Sequence, residues 1–235
     1  MSMQTDAIAN GEKKVVAVVA AYNEARAVGD VVRGLVSVVD EVVVVDDGSA
    51  DDTSTIARTA GATVLRHIIN RGQGAAQQTG NEYALANGAD IIVHFDADGQ
   101  HSFEDVAKFV APLMRGEVDM VLGSRFLGNA VNMPLTRRVL LRAALLFVWL
   151  YSGLRLTDAQ NGFRAFSREA AEKIVITQDG MAHASEILDE IAEQRLRYKE
   201  VPVTIHYTAE TLAKGQSGWN AINIAARLVW DKFLH

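Results

Sequence analysis

Residues 15–20, 42–45 and 90–95 are short apolar runs with almost no polar alternation, and each is followed by a segment with helical apolar spacing. A strand that is apolar on both faces must be covered on both, which crossover helices achieve and hairpins rarely do. The first such helix is predicted over residues 24–38, where Val28, Val31, Val32, Leu35 and Val39 recur on one side. Further strands are expected at 63–66 and 120–122, and further helices at 51–60, 75–87 and 103–115. The expected class is α/β, with a Rossmann-like, mostly parallel central sheet covered by helices on both faces.

The rhythm changes after Gly123. A loop at 124–134 leads to a long helix at 135–152, then a strand at 163–166, a helix at 182–194, a strand at 197–201 and a final helix at 217–233. With no internal repeat and no low-complexity linker, residues 1–235 are expected to form one domain.

Several chemistries fall away on composition. The chain has no cysteine, which removes disulfides, thiolate zinc ligands and cysteine nucleophiles. Its 23 basic and 29 acidic residues leave a net charge of -6, so no nucleic-acid partner is expected. Residues 1–10 are polar and acidic, unlike a signal peptide, and a cytoplasmic location is expected. The most apolar stretch, 139–154, is interrupted by Arg142 and is shorter than the roughly 20 residues that span a bilayer.

Two strands end in acid: residues 42–45 run into Asp46-Asp47-Gly48-Ser49, and residues 91–95 into Asp96-Ala97-Asp98-Gly99-Gln100. Open α/β sheets bind ligands outside the carboxyl ends of their strands, where both clusters fall. If 96–98 stays extended, the Asp96 and Asp98 carboxylates share a face and Gln100 joins them after a turn, an oxygen set suited to Mg²⁺ or Mn²⁺. A solvated Asp-Gly turn, with Asp98 capping the next helix, is the competing reading. Asp46 and Asp47 read either as a helix cap and turn or as ligands for a base or ribose. Gly72 and Gly74 flank Gln73 before a helix, as a backbone approach to a phosphate or base, or as a plain helix entry. Arg125 follows another strand and reads as a diphosphate contact or a salt bridge. The glycine-rich dinucleotide fingerprint and the GxxxxGK[ST] phosphate loop are both missing, which disfavours a dehydrogenase and a P-loop hydrolase.

Taken in order, these segments resemble the nucleotide-sugar-dependent glycosyltransferases of family 2, with a GT-A fold, and among them the dolichyl- or polyprenyl-phosphate sugar synthases. The resemblance spans roughly 15–207 and rests on Val19-Ala20-Ala21-Tyr22-Asn23-Glu24, Asp46-Asp47-Gly48-Ser49, Asn70-Arg71-Gly72-Gln73-Gly74, Asp96-Ala97-Asp98-Gly99-Gln100, Gly123-Ser124-Arg125-Phe126 and the segment 158–166. It implies a GDP- or UDP-linked sugar donor bound by Ala20, Tyr22, Glu24, Asp46, Asp47, Gly72, Gly74, Asp96, Ala97 and Asp98. It also implies Mg²⁺ or Mn²⁺ on Asp96, Asp98 and Gln100, Arg125 near the phosphates, and inversion at the sugar. Residues 15–123 would be the nucleotide-sugar half and 124–216 the acceptor half, with 217–235 an amphipathic C-terminal helix. Relatives often carry Lys where Gln73 stands, so a cationic contact is missing there.

The expected reaction is attack by an acceptor oxygen on an activated sugar. Arg137, Arg138, Arg142 and Arg164 are candidates for the phosphate of a polyprenyl or dolichyl acceptor, the first three beside the apolar residues of helix 135–152. That helix could rest on the cytoplasmic face of a membrane, or pack on the sheet; the stripe of 217–233 could do the same or form a homodimer. A hydroxyl acceptor would need a base, for which Asp158 and Glu186 are the candidates, although a turn role for Asp158 and a solvated face for Glu186 compete. His101 and His183 are assigned no special function. A transferase for a soluble hydroxyl acceptor and a catalytically silent sugar-nucleotide-binding or scaffold protein are the other classes in view.

Overall fold

The computed structural model describes residues 13–131 and 133–206 of the chain. Strands β1 (Val15–Ala21), β2 (Glu41–Asp46), β3 (Thr63–Arg66), β4 (Ile91–Asp96), β5 (Met120–Val131), β6 (Arg164–Ser167) and β7 (Tyr198–His206) form one sheet in the order β3-β2-β1-β4-β6-β5-β7. Pairing is parallel throughout except at β6, which runs antiparallel to both β4 and β5. The helices are α1 (Val28–Leu35), α2 (Thr53–Thr59), α3 (Gln73–Ala86), α4 (Val106–Met114), α5 (Leu135–Ser152), α6 (Arg168–Lys173) and α7 (His183–Glu193).

The unbroken apolar runs are explained by two cores. On β1, Val15, Ala17 and Val19 pack in one cluster with Val28, Val32 and Leu35 of α1 and Phe109 of α4. Val16 and Val18 pack in the other, with Ala76 and Ala84 of α3 and Ile187 and Ile191 of α7. Successive side chains of a strand point to opposite faces, so both parities must be apolar here. Gly80 lets α3 lie close on β1, since a Cβ there would come within 2.2 Å of Val18.

Three expectations need correction. The first helix is shorter than 24–38, because Asn23 sits at φ 55 and the Glu24 carbonyl accepts from Ala27 and Val28 in a turn that precedes α1. The loop expected at 124–134 is largely strand: β5 continues to Val131 and, after a register shift beyond Ser124, pairs Asn129–Val131 with Thr204–His206. Gly128 permits this, as a Cβ there would meet the Val203 carbonyl at 2.1 Å. Helix α6 was not expected; the Ser167 side chain caps it by accepting from Ala170 N. Helix α5 has the expected bounds and closes on Gly153 at φ 74. The helix expected at 217–233 lies outside the described residues. No helix among the described residues is long and apolar enough to cross a membrane.

The chain steps from β1 to β2 to β3 on one side, then returns with β4 on the other side of β1, which opens a crevice at the carboxyl ends of β1 and β4. There Ala20 lies level with Val45 and Asp96, and Ala21 with Asp46.

Candidate active site

The turns after β1 and β2 are tied together. Asn23 N donates to Ser49 Oγ at 2.9 Å, Ala50 N to Asn23 Oδ1 at 2.8 Å, and Glu24 N to Thr53 Oγ1 at 2.9 Å. This leaves Tyr22 exposed at the mouth of the crevice, Glu24 half-buried beside it and Ala20 partly buried below. Asp46 is turned inward and fully buried, accepting from Ser49 N at 2.8 Å and from the Ser54 hydroxyl. It shapes the β2–α2 turn and does not face the crevice. Asp47 is also sealed, accepting from His67 Nδ1 at 2.7 Å, Arg71 N at 2.9 Å and Gly72 N at 2.6 Å. Of the two readings open for these acids, the hydrogen bonds are those of a turn and loop anchor. A carboxylate at the end of a buried strand collects the nearest N–H donors, because leaving it unpaired costs several kcal/mol, on the order of 2–7 for an uncharged polar group alone.

The glycines at 72 and 74 serve close packing between loops rather than an open phosphate cradle. Gly74 N and Ala75 N both donate to Asp179 O, at 2.8 and 3.2 Å, and a Cβ on Gly74 would stand 2.0 Å from Gln178 O. That second loop is held by Glu186, which accepts from Thr177 N, Gln178 N and the Thr177 hydroxyl. With its oxygens so engaged, Glu186 clamps the loop at residues 177–178.

Asp96 and Asp98 occupy the end of β4. The Asp96 side chain keeps 27% exposure, with Oδ2 3.1 Å from His101 Nε2 and Oδ1 accepting from Gln73 Nε2 at 3.2 Å. Burial acts to raise its pKa, but the hydrogen bond and attraction of His101, joined by Arg164, hold it below the ordinary carboxylate value. Asp98 goes the other way, raised to about 6 by burial and by the negative charge of Asp96. Asp98 Oδ1 accepts from Gln100 N, whereas the following 3-10 turn is capped by Ser102, so Asp98 is not the helix cap. Ala97 points into the core.

Among the described residues, no three His, Cys, Asp or Glu side chains converge as a metal cage. The donor set is two carboxylates, with the Gln100 amide near in sequence. Two hard oxygen ligands, one with its pKa raised by burial and by the other's charge, fit a divalent cation such as Mg²⁺ or Mn²⁺, which would relieve that repulsion.

On the acceptor side, Arg125 Nε donates to Asp158 Oδ2 at 2.5 Å, and Asp158 Oδ1 accepts from Gln160 N. The Asp158 side chain is 1% exposed, so it aims Arg125 and has no access to a substrate hydroxyl. The loop is fixed from β7 by Glu200, which accepts from Thr157 N and Asp158 N at 2.9 and 3.0 Å. Arg125, Arg138 and Arg142 line an open cleft of about 420 Å³ with residues 128–131 and Thr204. Asp96 and Asp98 do not line it. Arg164 is not with the other arginines: it is 2% exposed within β6, its Nε donating to Asn161 O. Burial lowers its pKa to about 10 against the attraction of Asp96 and Asp158, so it remains a buried cation behind both acids. The side chain of Arg137 lies outside the described residues.

Sequence reasoning missed His101, Ser54, His67 and Glu200. His67 and Glu200 act through partners distant in sequence, Asp47 and Thr157, whereas Ser54 and His101 pair with the nearby Asp46 and Asp96, and His101, directly after the acidic motif, carried a signal in its position.

The model for glycosyl transferase family 2 matches residues 16–175. The chain is 32% identical to a UDP-N-acetylglucosamine--dolichyl-phosphate N-acetylglucosaminyltransferase of Methanococcus voltae, over 94% of this chain and 97% of the relative. It is 31% identical to an undecaprenyl-phosphate mannosyltransferase of Micrococcus luteus, over 81% of this chain and 83% of the relative. A structure of glucosyl-3-phosphoglycerate synthase from Mycobacterium tuberculosis, in complex with Mn²⁺, UDP and phosphoglyceric acid, superposes with a TM-score of 0.72 at 20% identity, covering 96% of this chain and 78% of that one. The shared architecture is the GT-A fold.

Proposed function

The chain belongs to glycosyltransferase family 2, and from that premise we propose that it moves a sugar from a nucleoside-diphosphate sugar onto polyprenyl or dolichyl phosphate. The observation that carries this reading is the position of Arg125, at the carboxyl end of the sheet that also ends in Asp96, and in the wall of the cleft formed with Arg138 and Arg142. Three guanidiniums around one opening suit a phosphate, which they bind through paired donors. The relatives from Methanococcus voltae and Micrococcus luteus, named for lipid-phosphate acceptors, support the same choice.

The proposed roles follow the geometry. Tyr22 and Glu24 border the nucleoside; Asp96 and Asp98, with Gln100, would hold Mg²⁺ or Mn²⁺, as the Mn²⁺-bound synthase supports. When bound, the cation would offset charge on the departing nucleoside diphosphate, which is either GDP or UDP. Arg125, fixed by Asp158, shares the neutralisation of the phosphates, and Arg138 and Arg142 orient the acceptor. An ionised lipid phosphate is its own nucleophile, so a site in which Asp158 and Glu186 are both occupied by structural donors lacks nothing. A single displacement inverts the anomeric centre. Leu135, Val139 and Trp149 are exposed on α5 beside the two arginines, a surface suited to peripheral contact with lipid headgroups on the cytoplasmic face.

The test is a panel of GDP- and UDP-sugars against polyprenyl phosphate and soluble hydroxyl acceptors, read by mass spectrometry. A glycosylated lipid phosphate with inverted stereochemistry is expected. Transfer only to soluble hydroxyl acceptors would overturn the proposal.

A further inference from the structure

Behind Asp96 lies an aromatic cluster containing one polar ring. The His101 side chain is 4% exposed and meets Phe95 and Phe163 edge-on, at centroid distances of 5.6 and 5.3 Å. Phe163 is in turn stacked on Phe109 at 3.8 Å. For packing alone a phenyl ring would serve there, and it would avoid the cost of desolvating an imidazole.

What a phenyl ring lacks is the donor. His101 Nε2 lies 3.1 Å from Asp96 Oδ2, while its buried Nδ1 has no hydrogen-bond partner among the described residues. An ionised carboxylate only accepts, so the shared proton belongs to Nε2. From the opposite side Gln73 Nε2 donates to Asp96 Oδ1 at 3.2 Å. Gln73 is itself steadied by the first turn of α3, whose Gly74 and Ala75 N–H groups are held by Asp179 O. The third side is closed by Gly162, where a Cβ would come within 2.5 Å of Asp96 Oδ2. The terminal torsion of a carboxylate is otherwise soft and broad.

We infer that His101 and Gln73 are positioning residues that fix the rotation of the Asp96 carboxylate. Each takes one lone pair of one oxygen and leaves the others directed to the crevice. The inference rests on the reading of Asp96 as part of the donor and cation site.

The test compares wild type with His101→Phe, His101→Gln and Gln73→Leu for Mn²⁺ binding by electron paramagnetic resonance, with UDP or GDP present, and for steady-state kinetics. His101→Phe keeps the ring contacts and loses the donor; His101→Gln does the reverse, with its amide nitrogen near the place of Nε2. Loss of a group that orients a metal ligand weakens metal affinity about 10- to 100-fold. That loss is expected for His101→Phe and Gln73→Leu, with KM for the donor rising more than kcat falls and with thermal unfolding unchanged. His101→Gln is expected to bind within a few-fold of wild type although it unfolds at a lower temperature. Wild-type binding in His101→Phe, with impaired binding in His101→Gln, would overturn the inference alone. Failure of the wild type to bind Mn²⁺ with either nucleotide would overturn the donor-site reading and this inference together.

Discussion

Arg125 Nε lies 2.5 Å from Asp158 Oδ2, and the two side chains are 5% and 1% exposed. A guanidinium that lines an open cleft while its charge is paired behind the wall is aimed rather than merely present. Removing one partner of a buried pair leaves the other uncompensated, which typically costs about 3–5 kcal/mol. Asp158→Ala is therefore expected to lose stability on that scale in urea unfolding. In Asp158→Asn, rates are expected to fall without loss of the acid limb of the pH profile, because the carboxylate is buried against Arg125.

Gly162 gives a sharper test of the carboxylate geometry. In Gly162→Ala the new methyl would stand 2.5 Å from Asp96 Oδ2 and 2.7 Å from Oδ1, so the carboxylate must move. A displacement of roughly 1 Å in a positioned group costs about 100-fold in rate. Turnover is expected to drop by that order while the circular dichroism spectrum is retained.

Asp98 trades stability for its role. Its folded-state pKa of about 6 exceeds the ordinary 3.8, so the folded form binds the extra proton between these values. Stability from this group is complete below about 3.8 and is lost as pH rises through about 6. At pH 7 and without metal, Asp98→Asn is expected to be more stable than wild type, by on the order of 1 to 3 kcal/mol. Adding Mn²⁺ should narrow that gap by stabilising only the wild type, and metal-supported turnover should be absent in the variant.

His183 has the opposite sign. It is buried, its Nδ1 bonds Gly180 O at 2.8 Å, and burial followed by the charge of Arg164 lowers its pKa from 6.5 to about 4. The unfolded chain then binds the extra proton, so stability is complete above about 6.5 and is lost as pH falls through about 4. Over that window one proton contributes a slope approaching 1.4 kcal/mol per pH unit. His183→Asn, which keeps a donor near Nδ1, is expected to flatten the acid side of the stability curve in denaturant titrations at stepped pH.

Legibility varied with the range of the interaction. The parallel sheet could be read because apolar runs such as 42–45 and 91–95 report burial on both faces residue by residue. The acidic strand ends could be located for the same reason, since chain order places Asp46 and Asp96 at carboxyl termini. The continuation of β5 to Val131 could not be read: residues 124–131 mix polar and apolar side chains around a glycine without strand alternation, and their order comes from β7, some 75 residues later. For Glu186 and Asp158 the base and the structural readings stayed side by side because a free carboxylate and an occupied one are spelled alike.

The sequence by itself determined the fold class, the family and the row of acids, because these depend on period, order and local motif. Tertiary structure decided which acids remain open. Asp46 and Asp47 are consumed by the donors around them, Asp96 is held from two sides by Gln73 and His101, and Asp98 has its pKa raised by burial and its neighbour's charge. It also separated Arg164, buried in the sheet, from Arg138 and Arg142 in the cleft. The physical reason is that hydrogen bonding and desolvation depend on what lies within about 3 Å in space, and residues 73, 101 and 162 meet at Asp96 only once the chain has folded.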